Sequence, residues 1–108
     1  MKKLLISPLA EEDLAEIKNY ISVELNNPSA ALKIMKQIMK RIRQLIEVPE
    51  IGAPLSSVVD IETDYRFLVC GKYLVFYRIE DENVFVSRVF YGKRDYLKLL
   101  FSGFFNND

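Results

Sequence analysis

The sequence predicts an α+β fold, with an N-terminal strand, an antiparallel helix hairpin, a three-stranded antiparallel meander and a short C-terminal helix. Three observations support this fold class. Apolar residues recur at helical spacing through much of the first half, they alternate with polar residues through much of the last third, and glycine, proline and asparagine separate these segments. A length of 108 residues suits one core, so we expect a single domain over 1–108.

The first half is predicted to hold one strand and two helices. Residues 2–7 form a short apolar run that suits a strand. Ser7 and Pro8 then mark a helix start, because serine caps a helix and proline is tolerated in its first turn. The Asn-Asn-Pro segment at 26–28 ends that helix, and a second helix is predicted from about 28 to 48. The tight joint makes the two helices an antiparallel hairpin.

The second half is predicted to hold the meander. Proline and glycine punctuate a loop that begins at Pro49. The predicted strands cover about 65–70, 73–79 and 84–91, and a short helix is expected over 94–101. Residues 102–108 show no periodicity, and we expect them to form a flexible tail.

The composition limits the chemistry. The chain has no histidine and a single cysteine, which excludes an internal disulfide and makes a zinc site untenable, so we expect neither metal nor cofactor. No apolar run is long enough to span a bilayer, and a cytoplasmic protein without membrane contact is expected. The 15 basic and 15 acidic residues balance, which argues against a dedicated nucleic-acid binder.

Arginines are spread evenly over the predicted strands. Arg66, Arg78 and Arg88 stand one per strand, and Lys93 and Arg94 follow the last strand. If strand alternation places them on one side, the sheet has one apolar face and one cationic face that binds an anionic group. The alternative is that they are solvated residues paired with acids, and a bulge or a register slip would separate them.

Other charged and aromatic residues allow two interpretations each. Tyr91 is a candidate proton donor or acceptor if Lys93 or Arg94 lowers its pKa, or else a strand-end aromatic residue. The acids at 11–13 and at 16 fit the positive end of a helix dipole better than a metal cluster. The basic side of the second helix either touches nucleic acid or is a solvated face; it carries Lys33, Lys36, Lys40, Arg41 and Arg43. The candidate target-binding residues are Arg66, Arg78, Arg88, Tyr91, Lys93 and Arg94.

The segment "YRFLV…YLVFYRIEDENVFVSRVFYGKRDYLKLL", with the strand and hairpin before it, resembles the RelE/ParE superfamily of bacterial toxins over about residues 2–101. The most specific part is the stretch from Arg88 to Asp95, where relatives usually carry Val-x-His-x-Arg-Arg. The resemblance implies a toxin of a type II toxin–antitoxin module, held in a hetero-oligomer by a cognate antitoxin. Phe104 and Phe105 are expected to contribute to the apolar surface that the antitoxin covers.

The superfamily has two main activities, and the resemblance leaves both open. RelE-type toxins cut mRNA in the ribosome, and ParE-type toxins poison DNA gyrase without cutting anything themselves. Here Arg66, Tyr91, Lys93 and Arg94 would be the catalytic residues of a nuclease. The positions at which nucleases carry a second basic residue, an early arginine and a late tyrosine correspond to Leu68, Leu74 and Leu100.

These replacements, the balanced charge and the long hairpin favour the ParE type. We therefore expect a gyrase poison that is not an enzyme, with a ribosome-dependent mRNA endonuclease as the alternative. A second alternative is an inactive family member that retains only antitoxin binding.

Overall fold

The computed structural model describes residues 3–92, and the predicted helix at 94–101 and the tail at 102–108 lie outside them. The described elements follow the predicted order. They are β1 (Leu4–Ile6), α1 (Pro8–Asn19), a π-helical turn (Tyr20–Glu24), α2 (Pro28–Glu47), β2 (Ala53–Pro54), β3 (Arg66–Cys70), β4 (Tyr73–Glu80) and β5 (Asn83–Tyr91). Two short 3-10 turns, Pro49–Ile51 and Leu55–Ser57, flank β2 in the segment predicted as a loop.

Local sequence signals set the ends of both helices. The Ser7 hydroxyl accepts a hydrogen bond from the Ala10 amide at 3.0 Å, and the Asn27 side chain accepts one from the Ala30 amide at 3.2 Å. Each cap precedes a proline at the start of its helix, and the cap at Ser7 is the one that the sequence predicts. The first helix differs at its end, because the chain changes to π geometry at Tyr20 before the turn at 26–28. No helix within residues 3–92 is long and apolar enough to cross a membrane.

The strands form one five-stranded sheet in the order β1-β5-β4-β3-β2. The meander β3-β4-β5 is antiparallel, as predicted, and β1 joins it as the parallel neighbour of β5. The chain after β1 crosses over through the helix hairpin, which accounts for the parallel pairing. The two-residue turn between β3 and β4 begins at Gly71, whose φ of 62° is accessible to glycine at little cost.

A bulge interrupts the pairing of β4 with β5. Phe76 pairs with Arg88 and Tyr77 pairs with Val86, so Ser87 is the extra residue of β5. The bulge lets Val86 and Val89 both belong to the core under the helices. It also changes the alternation that the sequence predicts for this strand, which affects the position of Arg88.

Both sides of the sheet are apolar, which corrects the prediction of one apolar and one cationic face. The side under the helices packs against Ile38, Ile42 and Leu45 of α2. On the opposite side, Phe76 and Phe90 form a second buried cluster with Leu55, which lies in the 3-10 turn after β2. Tyr65 and Phe67 are among the partly buried residues that pack around this cluster. The segment between α2 and β3 covers part of this second side. Its prolines and glycine predict a loop, but they do not predict that the loop packs on the sheet.

Candidate binding groove

The helix hairpin and the β3–β4 end of the sheet enclose an open groove of about 1330 Å³. The apolar part of its lining comes from both helices, from the π-helical turn and its C-cap, and from β3 and β5; the helical side includes Ile17, Ile21, Leu25, Ile34 and Ile38. Several of these side chains also pack against the main core, so the groove is supported by the fold itself. A cleft with an apolar lining and a few polar groups is the usual form of a binding site.

Three tyrosines line the groove. Tyr73 and Tyr91 meet edge to face with ring centroids 5.8 Å apart, and Tyr20 lies on the π-helical turn. Burial raises the pKa of Tyr73, and the neighbouring Tyr91 and Tyr20 raise it further. Tyr73 therefore keeps its proton at neutral pH and offers a hydrogen-bond donor on an apolar ring. Such amphipathic rings are common in protein interfaces.

The groove also carries cations, of which Arg41 has the best-defined contacts. Its guanidinium donates to Gln44 Oε1 at 2.9 Å and to the Val69 carbonyl oxygen at 3.3 Å, so it crosses from α2 to β3. Burial raises the pKa of the Cys70 thiol, and Arg41 offsets part of this rise. The protonated form of this buried thiol is therefore favoured. Lys40 and Lys72 are the other cations of the lining.

Asp13 is the buried charge of α1, and its partners lie on β5. Its carboxylate accepts from Arg88 Nε at 2.8 Å and Nη2 at 2.9 Å, and from the Val89 amide at 2.9 Å. The Arg88 guanidinium also lies 4.5 Å from the centre of the Phe90 ring. The hydrogen bond to Asp13 raises the pKa of Arg88 above its already high value. The pair fixes α1 to β5 beside the groove, where β5 extends beyond β1.

Arg66 holds the turn that follows α2. Its Nη2 donates to the carbonyl oxygens of Gly52 at 2.7 Å and Glu50 at 3.3 Å. Tyr77 completes the contact, since its hydroxyl donates to the Pro49 carbonyl at 2.7 Å and accepts from the Gly52 amide at 3.0 Å. The position predicted to bind a target thus has an internal structural role.

Arg78 lies on the other side of the sheet from Arg66. By alternation Arg66 shares its side with Leu68, and Arg78 shares its side with Phe76. The Arg78 guanidinium lies 5.7 Å from the centre of the Tyr65 ring and 4.0 Å from Asp64. The prediction that the three strand arginines converge on one face is therefore wrong, because alternation separates two of them and Arg88 turns to Asp13 after the bulge.

Tyr91 alone of the described candidates lines the groove, where it packs on Tyr73. Lys93 and Arg94 lie outside the described residues. The roles assigned to all six candidates in target binding, and to four of them in catalysis, stay predictions.

Sequence reasoning missed Asp13 and Arg41. The sequence prediction places Asp13 among the acids that suit the helix dipole, although its spacing from Ala10 and Ile17 puts it on the buried side of α1. It places Arg41 on the basic side of α2, yet Arg41 follows Ile34 and Ile38 at helical spacing and joins them in the groove. In both cases the helical spacing indicates the inward-facing position, whereas the charge of the residue suggests an exposed one.

The strand, helix hairpin and meander fit the fold of the RelE/ParE superfamily of small α+β toxins. The sequence model described as the ParE toxin of the type II toxin–antitoxin system parDE matches residues 4–96. The chain belongs to this family of ParE toxins. A search of curated protein sequences found no significant match.

Solved structures agree with this family. The chain is 25% identical to a chain of the chromosomal ParDE toxin–antitoxin system from P. aeruginosa, with a TM-score of 0.71, covering 84% of this chain and 96% of that one. It is 21% identical to a chain of the toxin–antitoxin complex RelBE2 from Mycobacterium tuberculosis, with a TM-score of 0.60, covering 82% and 95%. The second likeness shows the fold alone.

Proposed function

We propose that this ParE-family toxin arrests growth by poisoning DNA gyrase in the cytoplasm, and that a cognate antitoxin neutralises it by filling the groove. The observation that carries the choice of target is the packing of Leu68 and Leu74. These are two positions at which the resemblance places cations in the mRNA-cutting branch. Leu68 is only 2% exposed in the core under the helices, and Leu74 packs against the Phe76–Phe90 cluster.

The contacts of Arg66 also support a target other than mRNA. Phosphoryl transfer to a 2′-hydroxyl needs cations free to stabilise the charge that develops on the phosphate. Arg66 is the described cation at a nuclease-like position, and its Nη2 is bound to the Gly52 and Glu50 carbonyls. A protein that acts by binding has no need of such a constellation.

Purified gyrase and purified ribosomes distinguish the two targets. We expect the chain to stop supercoiling by gyrase and to leave broken DNA when the reaction is quenched with detergent, while mRNA on ribosomes stays intact. Cleavage of ribosome-bound mRNA without any effect on gyrase would contradict the proposal and favour the endonuclease. No effect in either reaction would also contradict it, and would favour a member that retains only antitoxin binding.

The lining of the groove indicates the chemistry of the antitoxin segment. Apolar residues from both helices offer sites for apolar anchors, and Lys40, Arg41 and Lys72 offer sites for acidic side chains. A segment with apolar residues on one side and acids beside them matches this arrangement, which is a common mode of peptide recognition. Both solved relatives come from toxin–antitoxin systems, and that from Mycobacterium tuberculosis is a toxin–antitoxin complex, which supports an antitoxin as the occupant.

Leu25→Asp is expected to weaken antitoxin binding about 10-fold to 100-fold, since loss of one buried leucine anchor costs about 1.5–3 kcal/mol. Leu25 lines the groove and is 55% exposed, so the free toxin should keep its fold. Val23→Asp is the matched control, because Val23 lies two residues away, is 63% exposed and is not part of the lining. Titration calorimetry with the purified antitoxin checks both. Equal losses for the two variants would exclude the groove as the binding site.

A further inference from the structure

Four cations form a straight row on α2, here called the α2 stripe: Lys33, Lys36, Lys40 and Arg43. All four are exposed. Their spacing of three and four residues keeps them on one side of the helix over about 15 Å. The row places four positive charges on one side of a helix, although the chain as a whole is neutral.

The stripe is not neutralised by acids. The acidic residue of α2 is Glu47, at the C-terminal end of the helix one turn after Arg43, and within residues 3–92 none of the four cations has a carboxylate within 4.0 Å. Like charges at this spacing destabilise a helix. A polyanion bound along the row would remove that repulsion. The acids of the hairpin are instead concentrated on the first helix, at Glu11, Glu12, Asp13 and Glu16.

The other sides of α2 are already used. Ile38, Ile42 and Leu45 are buried in the core, and Leu32 is the large apolar residue of α2 that stays exposed, which is too little apolar surface for insertion into a membrane. Ile34 and Arg41 line the groove. Of the stripe, Lys40 alone belongs to the described lining, so Lys33, Lys36 and Arg43 stay accessible when the groove is filled.

We propose that the α2 stripe binds the phosphate backbone of double-stranded DNA without reading its sequence. A duplex carries about one negative charge per 1.7 Å of its axis, so a row of about 15 Å faces several phosphates. Contacts to phosphates require only positioned cations, whereas a protein partner would be expected to add buried aromatic or apolar anchors. This inference does not depend on which target the toxin poisons, and it can succeed or fail separately.

The test is the salt dependence of binding to a fluorescent duplex of about 30 base pairs and mixed sequence, measured by anisotropy on the full chain. We expect affinity to fall linearly with salt on a logarithmic plot. Lys33→Gln combined with Lys36→Gln should reduce the slope by about 1.8, the value for two lost phosphate contacts. Lys3→Gln combined with Lys18→Gln removes the same charge from exposed sites away from α2 and should leave the slope unchanged.

Three results of the binding titrations would overturn the proposal. They are the absence of binding at about 50 mM salt, equal effects of the two double variants, and tighter binding to polyglutamate than to the duplex, which would assign the stripe to an acidic protein.

Lys36→Glu gives a separate readout. It should raise the melting temperature of the free chain, because it removes repulsion from Lys33 and Lys40, and it should weaken binding to the duplex. A fall in melting temperature would instead give Lys36 a structural role and contradict the proposal.

Discussion

Arg88→Met is expected to lower the free energy of unfolding by about 3 kcal/mol, because it leaves a buried carboxylate without its charged partner. Asp13 is 8% exposed, and two of its three hydrogen bonds come from Arg88. The Val89 amide is the remaining described partner, and one amide does not compensate the desolvation of a carboxylate. Urea unfolding of the wild type and the variant, followed by circular dichroism, measures the difference.

The matched control is Arg78→Met, the same change at an ion pair that is largely in water. Arg78 and Asp64 lie 4.0 Å apart with side chains 41% and 73% exposed, so the expected loss is below about 1 kcal/mol. Asp13→Asn combined with Arg88→Met should cost less than the sum of the single changes, since no buried charge is left unpaired. Equal losses for Arg88→Met and Arg78→Met would contradict the structural role of the Asp13 pair.

Gly52→Ala is expected to destabilise the fold by about 3 kcal/mol, because there is no room for a methyl group at this position. A Cβ atom on Gly52 would lie 2.4 Å from the Phe67 carbonyl oxygen and 2.6 Å from the Tyr77 hydroxyl. The backbone would have to move away from β3, which would break the hydrogen bonds that Arg66 and Tyr77 make to this turn. Thermal and urea unfolding measure the loss.

Gly71→Ala is the control for the effect of backbone conformation. A Cβ atom on Gly71 meets nothing within 4 Å, so its cost comes from the φ of 62° alone and should be about 1 kcal/mol. If both alanine variants lose the same stability, the turn at Gly52 moves freely and Arg66 is not needed to hold it. Arg66 would then again be available for a ligand.

The elements could be predicted because their signals are local. Ser7 and Asn27 are followed by prolines, apolar residues recur along both helices, and each hairpin turn is short and polar. These features act within a few residues of one another, so a single sequence contains them. The order of strand, hairpin and meander follows from them directly.

The faces of the sheet could not be predicted, because they depend on contacts between distant residues. The bulge at Ser87 places Arg88 opposite Phe76, and nothing in the residues of β5 alone requires it. Leu55 reaches the second side of the sheet from a segment that has no periodicity. Asp13 finds Arg88 across 75 residues of sequence. The groove depends on the same long-range packing of the helix hairpin on the sheet, so its position could not be predicted from the hydrophobic periodicity of the sequence.

Timed pulse-labelling shows whether this toxin acts on gyrase. Expression of this chain alone in a bacterium, with DNA synthesis and protein synthesis followed in the same culture, shows which process fails first. We predict that DNA synthesis falls first and that a DNA-damage response accompanies it. If protein synthesis collapses first while DNA synthesis continues, the gyrase account is contradicted, and Tyr91, Lys93 and Arg94 become the residues to test for mRNA cleavage.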